Sequence, residues 1–159
     1  MNQEGWARQR VKLVGTAMLA LLFAGCTDIV TSRYQTLADA RADELFGRGW
    51  LPDVLPPSAV DIVTVNNLDI NTSHGEFSFA PAEAPQLFRR LKPGVPARIP
   101  DHAASDVHDA QRRKDVSVWW LHQNDTTWVF MCRAAKGHCE HLTWHERPLV
   151  LPVTDQAQR

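Results

Sequence analysis

The densest run of side chains able to do chemistry is His138-Cys139-Glu140-His141-Leu142-Thr143-Trp144-His145, where imidazole, thiol and carboxylate donors crowd into one short segment. On a helix these imidazoles would approach one another. Thr143 and Trp144 favour a strand instead, and there residues four apart lie about 13 Å apart, at 3.3 Å per residue. Two histidines so distant cannot share an ion, and a zinc site wants about four ligands at bonding distance. No metal or other cofactor is therefore assigned, and His138, His141 and His145 stand as metal candidates beside a plainer reading, histidines along a strand edge. The group Asp101, His102, Asp106, His108 and Asp109 falls in an acidic segment and reads as solvated. Asp69-x-Asn71-x-Ser73 has the spacing of a calcium loop without its glycine or distal glutamate, and reads as a hairpin turn. Arg89-Arg90-x-Lys92 and Arg112-Arg113-Lys114 could meet lipid phosphates or simply face water. There is no Gly-x-Ser-x-Gly and no His-Glu-x-x-His, and Gly47-Arg48-Gly49 lacks the further glycines of a phosphate loop. No catalytic residue is named, so an enzyme would have to assemble its site from residues distant in sequence.

Cysteine chemistry is more informative. Three cysteines are present, Cys26, Cys132 and Cys139. Ahead of the first, Arg8, Arg10 and Lys12 precede an uncharged run from Leu13 to Phe23, which is shorter than the roughly 20 apolar residues a membrane-spanning helix needs. A basic start and a short apolar core are the pattern of an export signal. The run closes on Leu22-Phe23-Ala24-Gly25-Cys26, which resembles the lipobox of bacterial lipoproteins, with Phe23 where the family usually has Leu. That resemblance implies cleavage before Cys26, a diacylglyceryl group on its thiol and an acyl chain on its amine. One acyl chain holds a protein only marginally, whereas several hold it permanently in practice. By the same analogy, Thr27 rather than Asp directly after the cysteine favours the outer membrane facing the periplasm over the inner membrane.

Assigning Cys26 to lipid leaves Cys132 and Cys139 as a pair in a compartment that permits disulfides. Gly137, between them, can take the left-handed conformation that turns the chain back. A Cys132–Cys139 bridge is expected, with two free thiols for redox or metal chemistry as the competing reading. Removing residues 1–25 leaves 134 residues, and the formal charge becomes −3 as Lys plus Arg fall from 17 to 14 and Asp plus Glu from 18 to 17. One domain of this size can build its own core. Mild acidity and an export signal both exclude a general nucleic-acid binder.

The mature chain divides into a lipidated tether at 26–32, one domain at 33–150 and a flexible tail at 151–159. Ser32-Arg33-Tyr34-Gln35 has the form of a capping box, and Leu37, Ala38, Ala42, Leu45 and Phe46 follow at helical spacing, which predicts a helix over about 33–46. Pro52, Pro56 and Pro57 then enforce an extended crossover packed by Trp50, Leu51 and Leu55. A hairpin is predicted from Val60 to Phe79, turning at Asn71–Gly75, and a short helix from Pro85 carries Leu87, Phe88 and Leu91 on one face. The segment 97–115 has few large apolar residues and reads as an exposed loop with at most one helical turn.

Three antiparallel strands are predicted at Val116–His122, Thr126–Ala134 and His138–Glu146. A two-residue turn at Asn124-Asp125 pairs Leu121 with Trp128, Trp119 with Phe130 and Ser117 with Cys132, and puts Val118, Trp120, Val129, Met131, Leu142 and Trp144 on the opposite face. The fold class is α+β, an antiparallel sheet of an N-terminal hairpin plus a C-terminal three-stranded meander with two helices. Both sheet faces are apolar. They fit either a core covered on both sides or a binding face formed by Trp119, Trp128 and Phe130. Without a catalytic signature, that surplus suggests a non-catalytic domain that binds an envelope protein or supports its assembly, with a small apolar or lipid ligand as the alternative.

The segment from Thr36 to Ile62, Thr-Leu-Ala-Asp-Ala-Arg-Ala-Asp-Glu-Leu-Phe-Gly-Arg-Gly-Trp-Leu-Pro-Asp-Val-Leu-Pro-Pro-Ser-Ala-Val-Asp-Ile, with Asn67-Leu68-Asp69-Ile70-Asn71 after it, resembles small bacterial envelope proteins with a YbbD-type head domain. The resemblance covers the first half of the mature domain. It implies a small lipoprotein domain and transfers no catalytic residue.

Overall fold

The computed structural model describes residues 28–146. Cys26, the expected export signal and cleavage site, and the expected tail at 151–159 lie outside them. The chain begins with strand β1 (Ile29–Thr36), which pairs along its length with β2 (Val60–Asn67), and β2 pairs with β3 (Thr72–Ser78). Helix α1 (Leu37–Ala42) and the proline crossover join β1 to β2, and helix α2 (Ala84–Phe88) leads from β3 to the two-residue β4 (Lys92–Pro93). Helix α3 (Asp101–Arg112) precedes the C-terminal meander of β5 (Ser117–Gln123), β6 (Thr126–Arg133) and β7 (His138–His145). Because β3 pairs with β7, hairpin and meander fuse into one seven-stranded antiparallel sheet, ordered β1-β2-β3-β7-β6-β5-β4. The α+β class stands, and its two sheet pieces are one.

Four expectations are corrected. Residues 29–32 are the first half of β1 and not a tether, and the helix read over 33–46 occupies only 37–42. Its cap is Thr36, whose Oγ1 accepts from the Asp39 amide at 3.2 Å while Asp39 Oδ2 accepts from the Thr36 amide at 3.0 Å. Ser32 to Gln35 imitates that signature, but β-branched Ile29, Val30 and Thr31 and a continuous partner in β2 draw the segment into the sheet. The hairpin turn is also earlier than expected, at 68–71, and Thr72 to Gly75 belong to β3. Finally, 97–115 is no loop: α3 buries Ala103, Val107 and Ala110 on one face.

Two cores lie on the two sheet faces. On the first, Phe77, Phe130, Ile62, Cys132 and Cys139 pack beneath α1, α2 and Leu45, Leu51, Val54 and Leu55 of the segment between β1 and β2. On the second, Ala103, Val107 and Ala110 of α3 pack on Val118, Val129, Met131 and Trp144. The register of β5 against β6 is the predicted one, with Leu121 opposite Trp128, Trp119 opposite Phe130 and Ser117 opposite Cys132. Asn124 and Asp125 take φ of 53° and 60°, the two positive values that a tight hairpin turn needs to match the strand twist. Among the described residues no helix is long and apolar enough to cross a membrane.

Candidate functional site

The predicted aromatic binding face is core. Phe130 is fully buried and Trp128 is 5 % exposed. Trp128 donates its indole N–H to the Trp50 carbonyl at 3.3 Å, and the Trp119 ring stacks on Phe88 with centroids 4.4 Å apart. The crossover and α2 thus cover this face, the core reading of the two that the sequence left open.

Cys132 and Cys139 form the expected disulfide. They are direct cross-strand neighbours of β6 and β7, with Cα atoms 4.1 Å apart. Gly137 closes the turn at φ 59°, and a Cβ there would stand 1.9 Å from the Phe79 carbonyl oxygen. Non-reducing peptide mapping should find this bridge, and Cys132→Ser with Cys139→Ser should lose roughly 2 to 3 kcal/mol of unfolding free energy, the loop-entropy figure for so short a loop. Two freely alkylatable thiols in protein isolated without reductant would overturn the assignment.

The three histidines of β7 do not meet. His138 Nε2 lies 3.7 Å from Glu76 Oε2, and His145 Nδ1 is 3.0 Å from Thr126 Oγ1. His141 is buried on the first core face, where neither ring nitrogen makes a hydrogen bond of ordinary geometry. Burial pushes its pKa down to about 4, against a smaller opposing pull from the Val63 carbonyl. Gly75, opposite His141 in β3, makes room for that carbonyl: a Cβ there would lie 1.9 Å from Val63 O and 2.8 Å from His141 Nε2. A register shift between Val60 and Val63, with Asp61 at φ 51°, marks the irregularity of β2 beside it.

The remaining sequence candidates are held in local contacts. In the β2–β3 turn the Asn67 side chain accepts from the Asp69 amide at 3.1 Å, and Ser73 Oγ donates to Asn66 Oδ1 at 2.7 Å. On α3, His108 Nδ1 stands 3.2 Å from Gln111 Oε1, and Arg112 pairs with Asp109. Asp101 lies in the first turn of α3, where its charge suits the helix dipole. Arg89 and Arg90 face water just past α2. Lys92 Nζ sits 4.7 Å from the centroid of Trp120, a cation–π contact.

Sequence reasoning missed a groove of about 660 Å³ between α3 and the part of the second face that α3 does not cover. Its floor is Val63 and Val65 of β2 and Leu142 of β7, edged by His74 and Glu76 of β3 and Glu140 of β7. Its wall is the α3 flank of His102, Asp106 and Asp109, ending at Arg113. Glu76 and Glu140 are directly opposed across β3 and β7, an unfavourable juxtaposition of like charges unless each finds a cation. Glu140 has two nearby. Arg133 Nη1 donates to Glu140 Oε1 at 3.1 Å, Arg113 Nη2 stands 3.9 Å from the other Glu140 oxygen, and His138 approaches Glu76. The result is an apolar floor edged by charged groups, of which Glu140 is paired with arginine. The signal that could have revealed it is the spacing of Ala103, Val107 and Ala110, which defines the buried stripe of α3.

These features define a disulfide-stapled α+β domain with one sheet between two unequal layers. Residues 28–78, from the start of β1 to the end of β3, match the model of the YbbD head domain family. The match takes in the segment that carried the resemblance and ends before α3, so β2 and β3 of the groove fall within it and α3 and β7 outside. No curated protein and no solved structure matches the chain.

Proposed function

We propose that this protein is a lipid-anchored domain of a bacterial envelope, held through Cys26 on the outer membrane facing the periplasm, and that it binds another envelope protein without catalysing a reaction. The observation that carries the binding role is the groove beside α3. Its half-buried Val63, Val65 and Leu142 sit inside a rim of His102, Asp106, Asp109, Glu76 and Glu140, the apolar centre and polar edge typical of protein interfaces. Arg113 and Arg133 each pair with Glu140, which suits a fixed charged edge better than proton transfer. A small apolar ligand is less well served, because Trp119, Trp128 and Phe130 pack against protein.

A photo-crosslinking residue at Val65, on the groove floor, tests this in intact cells. It should give one discrete protein adduct, and the same residue at exposed Gln86 on α2 should give none. Fatty-acid labelling of the same cells should mark the wild type and not Cys26→Ala. No protein adduct from position 65 in a labelled protein would remove the binding role, and normal labelling of Cys26→Ala would remove the anchor.

A further inference from the structure

Five large apolar side chains are strongly exposed among the described residues, and four of them gather at one end of the sheet. Ile29 and Val30, 54 % and 45 % exposed, open β1 opposite Asn67 and Asn66. Leu68 and Ile70, 48 % and 58 % exposed, form the turn between β2 and β3. The Leu68 amide donates to the Asp28 carbonyl at 2.8 Å, which ties that turn to the residue preceding β1.

Two features say what covers this end. Successive strand residues point to opposite faces, so Ile29 and Val30 make the tip apolar on both sides of the sheet. A protein groove would cover one side, whereas a lipid surface receives a two-sided wedge. Asp28 is also only two residues from Cys26, so at full extension the two Cα atoms are separated by about 7 Å. Acyl chains on Cys26 therefore bring a bilayer to within reach of Leu68 and Ile70.

We propose that this tip is seated in the bilayer interface, with Leu68 and Ile70 inserted among the lipids as a second contact beside the anchor. The proposal rests on the reading of Cys26 as lipidated. The contact is apolar and not electrostatic, since residues 28–31 and 66–73 contain no Lys or Arg and two acids, Asp28 and Asp69. Asp28 shares a hydrogen bond with Asp69, and this like-charged neighbour raises the Asp69 pKa. Zwitterionic lipid is the favoured surface, salt leaves the contact unchanged, and anionic lipid weakens it. Two attachment points fix the tilt of the domain, and the adjoining groove, whose lining includes Thr72 and Val65, then opens close to the membrane.

The test uses the full-length lipidated protein in phosphatidylcholine vesicles, with a polarity-sensitive dye on Ile70→Cys or, at the far end of β2, on Val60→Cys. The dye at position 70 should shift to the blue and be quenched by bromolipids, in low and high salt alike, and the dye at position 60 should do neither. Mass spectrometry of the N-terminal peptide reports the acyl chains separately. Acylated Cys26 with identical emission from both positions would overturn the tip contact and leave the anchor standing. A blue shift that appears without vesicles, in a dimer on gel filtration, would overturn it in favour of self-association. An unmodified Cys26 would overturn the anchor and, with it, the reason for a bilayer at this end.

Discussion

Lowering the pH from 7 to 4 is expected to cost the folded domain about 3 kcal/mol through His141 alone, the product of the pKa shift and 1.36 kcal/mol per unit. The imidazole is fully buried between Gly75 and Phe130, and holding a charge there would mean desolvating it with no acidic partner. Its pKa is about 4 in the folded domain and about 6.5 in the unfolded chain. Between those values the unfolded state binds more protons, so acid favours unfolding. The stability is fully present above about pH 6.5 and is lost as the pH falls through about 4. His145 is shifted in the same direction by partial burial and adds to the slope. Denaturant unfolding at a series of pH values should show His141→Leu losing much less stability across this window than the wild type. Parallel curves for the two proteins would mean that the native ring is accessible to solvent and protons.

The same histidine shows what was legible in the sequence. The Asn124-Asp125 turn fixes the register of β5 against β6, and the separation of His138, His141 and His145 follows from the rise of a strand alone. The disulfide was legible in cysteine parity, with Gly137 to turn the chain, and the structure sets Cys132 and Cys139 opposite each other across β6 and β7. Helix α3 was not legible, because its buried stripe is Ala103, Val107 and Ala110, side chains too small to stand out among Asp101, His102, Asp106 and Asp109. They suffice because the facing Met131 and Trp144 are large and fill the space between helix and sheet. Strand β1 is hidden for another reason, since Ser32 to Gln35 satisfies a local helix rule that seven partner positions in β2 override. The groove could not be read without α3, since it consists of what that helix leaves uncovered.

Phe130→Ala is expected to be the most damaging single truncation on the first sheet face, at roughly 3 to 5 kcal/mol for removing a fully buried aromatic side chain. Had Trp119, Trp128 and Phe130 formed a binding surface, the same change would abolish partner capture and leave unfolding nearly untouched. The packing argues for the first outcome. Phe130 meets Phe77 edge-on with centroids 6.3 Å apart, and its strand neighbours Trp128 and Cys132 are buried in the same cluster. Leu51 and Leu55, buried in that cluster too, come from the proline crossover, whose fixed backbone loses less entropy on docking than an ordinary loop of that length. An alanine at 130 therefore leaves a cavity beneath a lid too stiff to collapse into it, which places the cost toward the upper end of the range. The checking measurement is the urea midpoint at constant slope. Full stability in Phe130→Ala would return the aromatic face to the surface, whereas a large loss leaves the groove beside α3 to be tested for the partner.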